Sequence, residues 1–142
     1  MPAAAVDTSV LVGLSDSDDP RHATATDIVR GMDSGNLPTG HVTNYVVLET
    51  LNWIHSRRHR GIAVDLYTRL SESAGFEIRH APQKDFPRAF ELFETYEELS
   101  FGDATIAAYV EREGIDYLYS FDDDFDAVSD LARLDVAENP FE

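Results

Sequence analysis

Short apolar runs alternate with longer stretches of helical period along this chain, and that alternation predicts an α/β fold. Ala3-Ala4-Ala5-Val6 reads as a buried strand over 3–6, and Asp7-Thr8-Ser9 as the turn into a short helix through Leu14. Pro20 fits the first turn of a helix running to about Met32, ended by Asp33-Ser34-Gly35-Asn36. A second strand is expected over 38–42. Thr43 or Asn44 then caps a long helix to about Arg58, closed by Gly61. A helix over 62–74 stops at Gly75, and strand 76–79 follows. Pro82 starts a helix that carries Phe86, Phe90 and Phe93 on one face. The pattern then gives a helix from Asp103 to Glu113, ended by Gly114, and a strand over 117–121. A short helical piece and an edge strand near Val136 complete the chain. No repeat, low-complexity stretch or linker interrupts the pattern, so one domain over 1–142 is expected.

Composition changes the picture mainly through charge. Hydrophobic residues make up 43% of the chain, enough for a proper core. Against 27 Asp and Glu stand 11 Lys and Arg, a net charge of −16, and Lys84 is the only lysine. The acids are spread over every segment, as in Asp16-Ser17-Asp18-Asp19, so they are a property of the whole surface. Such a surface on an apolar core fits a protein kept soluble in concentrated salt, where the Debye length falls to about 3 Å. A halophilic source is therefore expected, with an ordinary acidic protein and a basic partner as the alternative. In either case net charge does not exclude a nucleic-acid substrate. The chain has no cysteine, which removes disulfides and thiolate metal sites. The pattern offers neither a signal peptide nor a membrane span, and a cytoplasmic protein is expected.

In so acidic a chain, position matters more than abundance, and four acids are well placed. Asp7 follows the first strand, on the edge where ligands bind in open α/β sheets, although an Asp there also suits a helix N-cap. Glu49 shares a helix face with Val46 and Trp53 and is bracketed by Val47, Leu48 and Leu51. A carboxylate beside that much apolar surface needs a partner, and a metal ion, a metal-bound water or an arginine would serve; a rotated helix would instead expose it. Asp103 begins the inward stripe Ile106, Ala107 and Val110, at the positive end of its helix dipole, where capping is the plainer role. Asp122 opens Asp122-Asp123-Asp124-Phe125-Asp126 just past a strand, where a solvated turn is equally natural.

Other signals are weaker. Arg57-Arg58-His59-Arg60 is the dense basic cluster, suited to phosphate or simply to a helix C-terminus. His55 and His59 have zinc-site spacing, but Ser56 replaces the glutamate of His-Glu-x-x-His. The Phe86, Phe90 and Phe93 stripe is most simply core, and a face for a protein partner or a second copy is the other reading. A phosphoacceptor domain with clustered aspartates is disfavoured, because Lys84 precedes a helix rather than ending a strand.

Four blocks resemble the PIN-domain family, and in size the chain is similar to VapC-type toxins of toxin–antitoxin pairs. They are Asp7-Thr8-Ser9; Thr43-Asn44-Tyr45-Val46-Val47-Leu48-Glu49; Phe101-Gly102-Asp103-Ala104-Thr105-Ile106-Ala107; and Ser120-Phe121-Asp122-Asp123-Asp124-Phe125. Ser120 stands where threonine is common in the family and keeps the hydroxyl. The resemblance implies a three-layer α/β/α sandwich with a central parallel sheet and an acidic pocket of Asp7, Glu49, Asp103 and Asp122. It implies Mg²⁺- or Mn²⁺-dependent cleavage of RNA, with Asp7, Asp103 and Asp122 as metal ligands, Glu49 as a further ligand or the base that positions the water, and Asp124 as either another ligand or a surface acid. It also implies a homodimer and inhibition by a small antitoxin. The competing reading is a non-catalytic PIN-like module that only binds RNA or protein.

Overall fold

Parallel strands buried on both faces read as unbroken apolar runs, and Ala3–Val6 is such a run. In the computed structural model, which describes residues 2–142, it forms β1 at the centre of a five-stranded sheet. The other strands are β2 (Thr39–Thr43), β3 (Phe76–Arg79), β4 (Tyr117–Tyr119) and β5 (Ala132–Leu134). Their spatial order is β3-β2-β1-β4-β5, and every pairing is parallel. Six helices connect them: α1 (Thr8–Ser15), α2 (His22–Ser34), α3 (Asn44–Arg57), α4 (Arg60–Glu72), α5 (Asp85–Thr95) and α6 (Phe101–Glu113). Right-handed crossovers put α1 to α4 on one face while the chain steps outward to β3. They put α5 and α6 on the other face as it returns to β4. The result is the expected three-layer α/β/α sandwich. Its core joins Val6 and Leu118 of the sheet to Leu11, Ile28 and Ile54 on one side and Ile106 and Tyr109 on the other.

The direction of travel reverses between β1, which leads to β2, and β4, which leads to β5. A crevice at the carboxyl ends of the strands is the usual consequence of such a reversal. Asp7 immediately follows β1, and Asp122 lies just beyond β4.

Several boundaries differ from the sequence expectations. Helix α2 begins at His22 rather than at Pro20, because Asp16 and Asp19 accept backbone N–H bonds within a preceding turn. Gly61 lies inside α4 and does not close α3; His59 breaks the two helices apart, its Nδ1 accepting from Gly61 N at 2.9 Å. Helix α6 starts at Phe101 under a Ser100 cap, so Asp103 is its third residue rather than its first. Strand β4 stops at Tyr119, since Phe121 N turns away to donate to Ser9 Oγ at 3.0 Å. The last strand is Ala132–Leu134, not a segment near Val136. The phenylalanine stripe of α5 is not core: Phe86, Phe90 and Phe93 are 48%, 52% and 41% exposed. That helix buries Asp85, Ala89 and Leu92 instead, with Arg112 Nε of α6 donating to Asp85 Oδ1 at 2.6 Å.

Candidate active site

Asp7 is held where β1 turns into α1, and the capping role open to it in the sequence is realised there. It caps α1, accepting from Ser9 N at 3.4 Å, and its side chain is buried at 4% exposure. Two hydroxyls converge on the same oxygen: Ser9 Oγ and Ser120 Oγ each lie 2.8 Å from Asp7 Oδ2. Ser120 Oγ also accepts from Asp122 N at 3.0 Å, so one buried hydroxyl ties the end of β4 to Asp7. The two serines stitch the central strands together at the reversal point.

Asp103 and Asp122 repeat the arrangement. Asp103 Oδ2 accepts from Ser100 N at 3.3 Å while Ser100 Oγ accepts from Asp103 N at 3.1 Å, a reciprocal capping box. Asp122 Oδ1 accepts from Asp124 N at 3.0 Å and caps the 3₁₀ turn Asp123–Ala127. Each of the three aspartates thus has one oxygen engaged by backbone or hydroxyl donors. Among the described residues, the second oxygen of each accepts none of these bonds.

The acids form two adjoining groups that share Asp103. Asp103, Asp122 and Asp124 each offer an oxygen within 4.8 Å of the others. Asp7, Glu49 and Asp103 line a small cavity of about 10 Å³, roughly the room one water needs. Glu49 is exposed rather than buried. Helix α3 turns Val46, Thr50 and Ile54 inward, so Glu49 reaches the cleft from its rim. It lies against Gly102, where an added Cβ would stand 2.9 Å from Glu49 Oε2.

Burial and like-charge repulsion together raise the carboxyls of Asp7, Asp103 and Asp124. Burial pushes the Asp7 carboxyl up, against the lowering effect of the Ser120 and Ser9 hydrogen bonds, and Asp122 pushes it further. Asp103 is pushed up to about 7, first by burial and then by the charges of Asp7 and Asp122. Asp124 is raised chiefly by Asp122. Elsewhere in the molecule acids meet arginines: Asp16 and Asp18 with Arg58, Asp33 with Arg69, Asp85 with Arg112, Glu111 with Arg88 and Asp126 with Arg133. Among the described residues no basic side chain pairs with Asp7, Glu49, Asp103, Asp122 or Asp124. An all-oxygen donor set carrying uncompensated charge fits a hard divalent cation.

A sequence match to the PIN domain spans residues 4–131. The chain belongs to the PIN-domain family. Within the family, the 23S rRNA-specific endonuclease VapC20 of Mycobacterium tuberculosis is 31% identical over 125 residues, 86% of this chain and 91% of that protein. The crystal structure of VapC20, a toxin that cleaves the sarcin–ricin loop, matches with a TM-score of 0.76 at 28% identity, covering 89% of this chain and 95% of that one. The same fold occurs in VapBC2 from Rickettsia felis bound to a DNA fragment from its promoter, with a TM-score of 0.71 at 13% identity. That match covers 93% of this chain and 97% of the other.

Two features of this PIN domain were not read from its sequence as parts of the site. Ser9 is a positioning residue for Asp7, signalled only by a hydroxyl two residues after a strand-end aspartate. Gly102 leaves room beside the Glu49 carboxylate, signalled only by a glycine in the first turn of a helix. The basic cluster is divided by the fold. Arg58 pairs with Asp16, His59 caps α4, and Arg57 lies over the Trp53 ring at 5.2 Å. Among the described residues no helix is long and apolar enough to cross a membrane.

Proposed function

We propose that this PIN domain, one nuclease unit over residues 1–142, is a divalent-cation-dependent endoribonuclease acting in the cytoplasm as the toxin of a toxin–antitoxin pair. One observation carries the reading: two adjoining acid groups that share Asp103, with Asp7 and Glu49 on one side and Asp122 and Asp124 on the other, and no basic side chain paired with any of them among the described residues. The 31% identity to an rRNA-specific endonuclease supports RNA as the substrate class. Solved neighbours include a toxin–antitoxin complex from Klebsiella pneumoniae, which supports a small protein inhibitor as partner.

In this reading Asp7, Asp103 and Asp122 hold Mg²⁺ or Mn²⁺, and Asp124 adds a fourth carboxylate beside the last two. Once bound, such a cation neutralises phosphate charge, orients the scissile group and lowers the pKa of a water. The chain's own residues do the rest. Ser9 and Ser120 fix the Asp7 carboxylate in one rotamer. Glu49, at the rim, takes a proton from the attacking water as the new O–P bond forms and the bridging O–P bond breaks, and the departing oxygen takes a proton from solvent. The exposed Phe86, Phe90 and Phe93 face supplies apolar area for protein partners, and a homodimer is part of the proposal.

The test is a ribonuclease assay in concentrated KCl with Mg²⁺ or Mn²⁺, using the sarcin–ricin loop cleaved by the mycobacterial relative as first substrate. Metal-dependent cleavage is expected from the wild type and its loss from Asp7→Asn. Full activity in Asp7→Asn would overturn the site assignment, and no cleavage of any RNA would favour the non-catalytic module. Growth arrest on expression, relieved by a small neighbouring gene product, separates a toxin from a housekeeping nuclease.

A further inference from the structure

Beside the carboxylates, between α3 and the start of α6, runs an open groove of about 570 Å³. We infer that this groove holds an unpaired nucleobase of the RNA, stacked on Trp53 and contacted at its edge by Asn52. The inference rests on the ribonuclease reading and extends it to how the substrate is gripped.

Three observations carry it. The groove and the small cavity of Asp7 and Asp103 share Tyr45, Glu49 and Gly102 as lining residues, so the two adjoin. A strand whose phosphate lies at the carboxylates extends its neighbouring nucleotide into the groove. The wall is aromatic, formed by Tyr45, Trp53 and Phe101, and single-stranded RNA is gripped by stacking its splayed bases on such side chains. The polar groups suit the same ligand. Arg57 lies over the Trp53 ring and brings a cation to the groove for a phosphate. Asn52 is exposed, and its amide offers a donor and an acceptor side by side, as a base edge requires.

Charge favours stacking over ion pairing as the main grip. A chain of net charge −16 repels RNA at long range, and Arg58, the neighbour of Arg57, is already paired with Asp16. In concentrated salt, phosphate contacts weaken, whereas base stacking is largely indifferent to ionic strength. The rim acids and the single groove arginine therefore leave apolar contact to supply affinity.

Trp53 is the sole tryptophan, so its emission reports this groove alone. The experiment titrates the full chain with a short single-stranded RNA in concentrated KCl and EDTA, which halts metal-dependent cleavage. It reads Trp53 fluorescence, together with the anisotropy of labelled RNA for wild type, Trp53→Ala, Trp53→Phe and Asn52→Ala. RNA should quench Trp53, and Trp53→Ala should weaken binding by about tenfold or more, the equivalent of ~1.4 kcal/mol. Trp53→Phe should keep most of the affinity, which rules out misfolding as the cause. An oligonucleotide stripped of its bases should bind wild type as poorly as RNA binds Trp53→Ala. Unchanged emission under saturating RNA, or wild-type affinity in Trp53→Ala, overturns the inference. So does quenching by higher protein concentration alone, which would assign the groove to a second copy of the chain. The two readings fail separately. Cleavage lost in Asp7→Asn but unaltered, with unaltered RNA affinity, in Trp53→Ala keeps the nuclease and removes the base site. Quenching by RNA without cleavage does the reverse.

Discussion

Asp7, Asp103 and Asp122 each use one oxygen to anchor a turn or helix start and keep the other free of such bonds. Asparagine keeps a capping oxygen and loses the charge, while alanine loses both. Asp7→Asn should therefore lower cleavage by on the order of 10²-fold or more yet melt no lower than wild type, because a buried, repelled charge has been removed. Asp7→Ala should be as inactive and also lose about 1 kcal/mol of stability, read by thermal denaturation. Asp103 adds a pH signature. Its carboxyl holds its proton up to about 7 in the folded protein but releases it near 3.8 when unfolded. Between those values the folded state binds more protons, so rising pH lowers stability across that window. Thermal melts in EDTA should show this decline, Asp103→Asn should flatten it, and a divalent cation should offset it. A melting temperature independent of pH in that window would contradict the electrostatic account of the cleft.

At the scale of elements, the strand-end acids were legible because apolar runs ending in Asp mark where parallel strands deliver side chains. The rotation of each helix was not legible. Helix α3 carries Val46, Val47, Leu48, Leu51, Trp53 and Ile54, apolar residues on several sides, and only packing on the sheet selects Val46, Thr50 and Ile54 as the inward line. Glu49 lands on the rim as a result. For the same reason the spacing of Phe86, Phe90 and Phe93 describes a face without saying which way it points; the Asp85–Arg112 pair turns that face outward. The start of α6 was misplaced because Ser100 and Phe101 do not advertise a helix as Asp103 does. Gly102→Ala tests how these helices meet. It should leave α6 as stable or up to ~1 kcal/mol more so, since alanine favours helix. It should also cut cleavage about tenfold by displacing Glu49, a cost in the range of a misaligned general base. A variant that is both stabilised and fully active would show that Glu49 has no need of its present position.

For the whole molecule, acidity is the property that conditions everything else. Dispersed acids repel one another in dilute buffer and are screened in concentrated salt. We expect the melting temperature to rise from low KCl into the molar range, with cleavage following it; a melting temperature that falls over that range would mark an ordinary acidic protein. The parallel topology has another outcome, in the order of synthesis. The central strand β1 is made first, but its neighbour β4 and the hydroxyl of Ser120 that steadies Asp7 come from the last quarter of the chain. A nascent chain therefore has no assembled cleft when Asp7 and β1 emerge, and gains one only after β4 and Ser120 have followed.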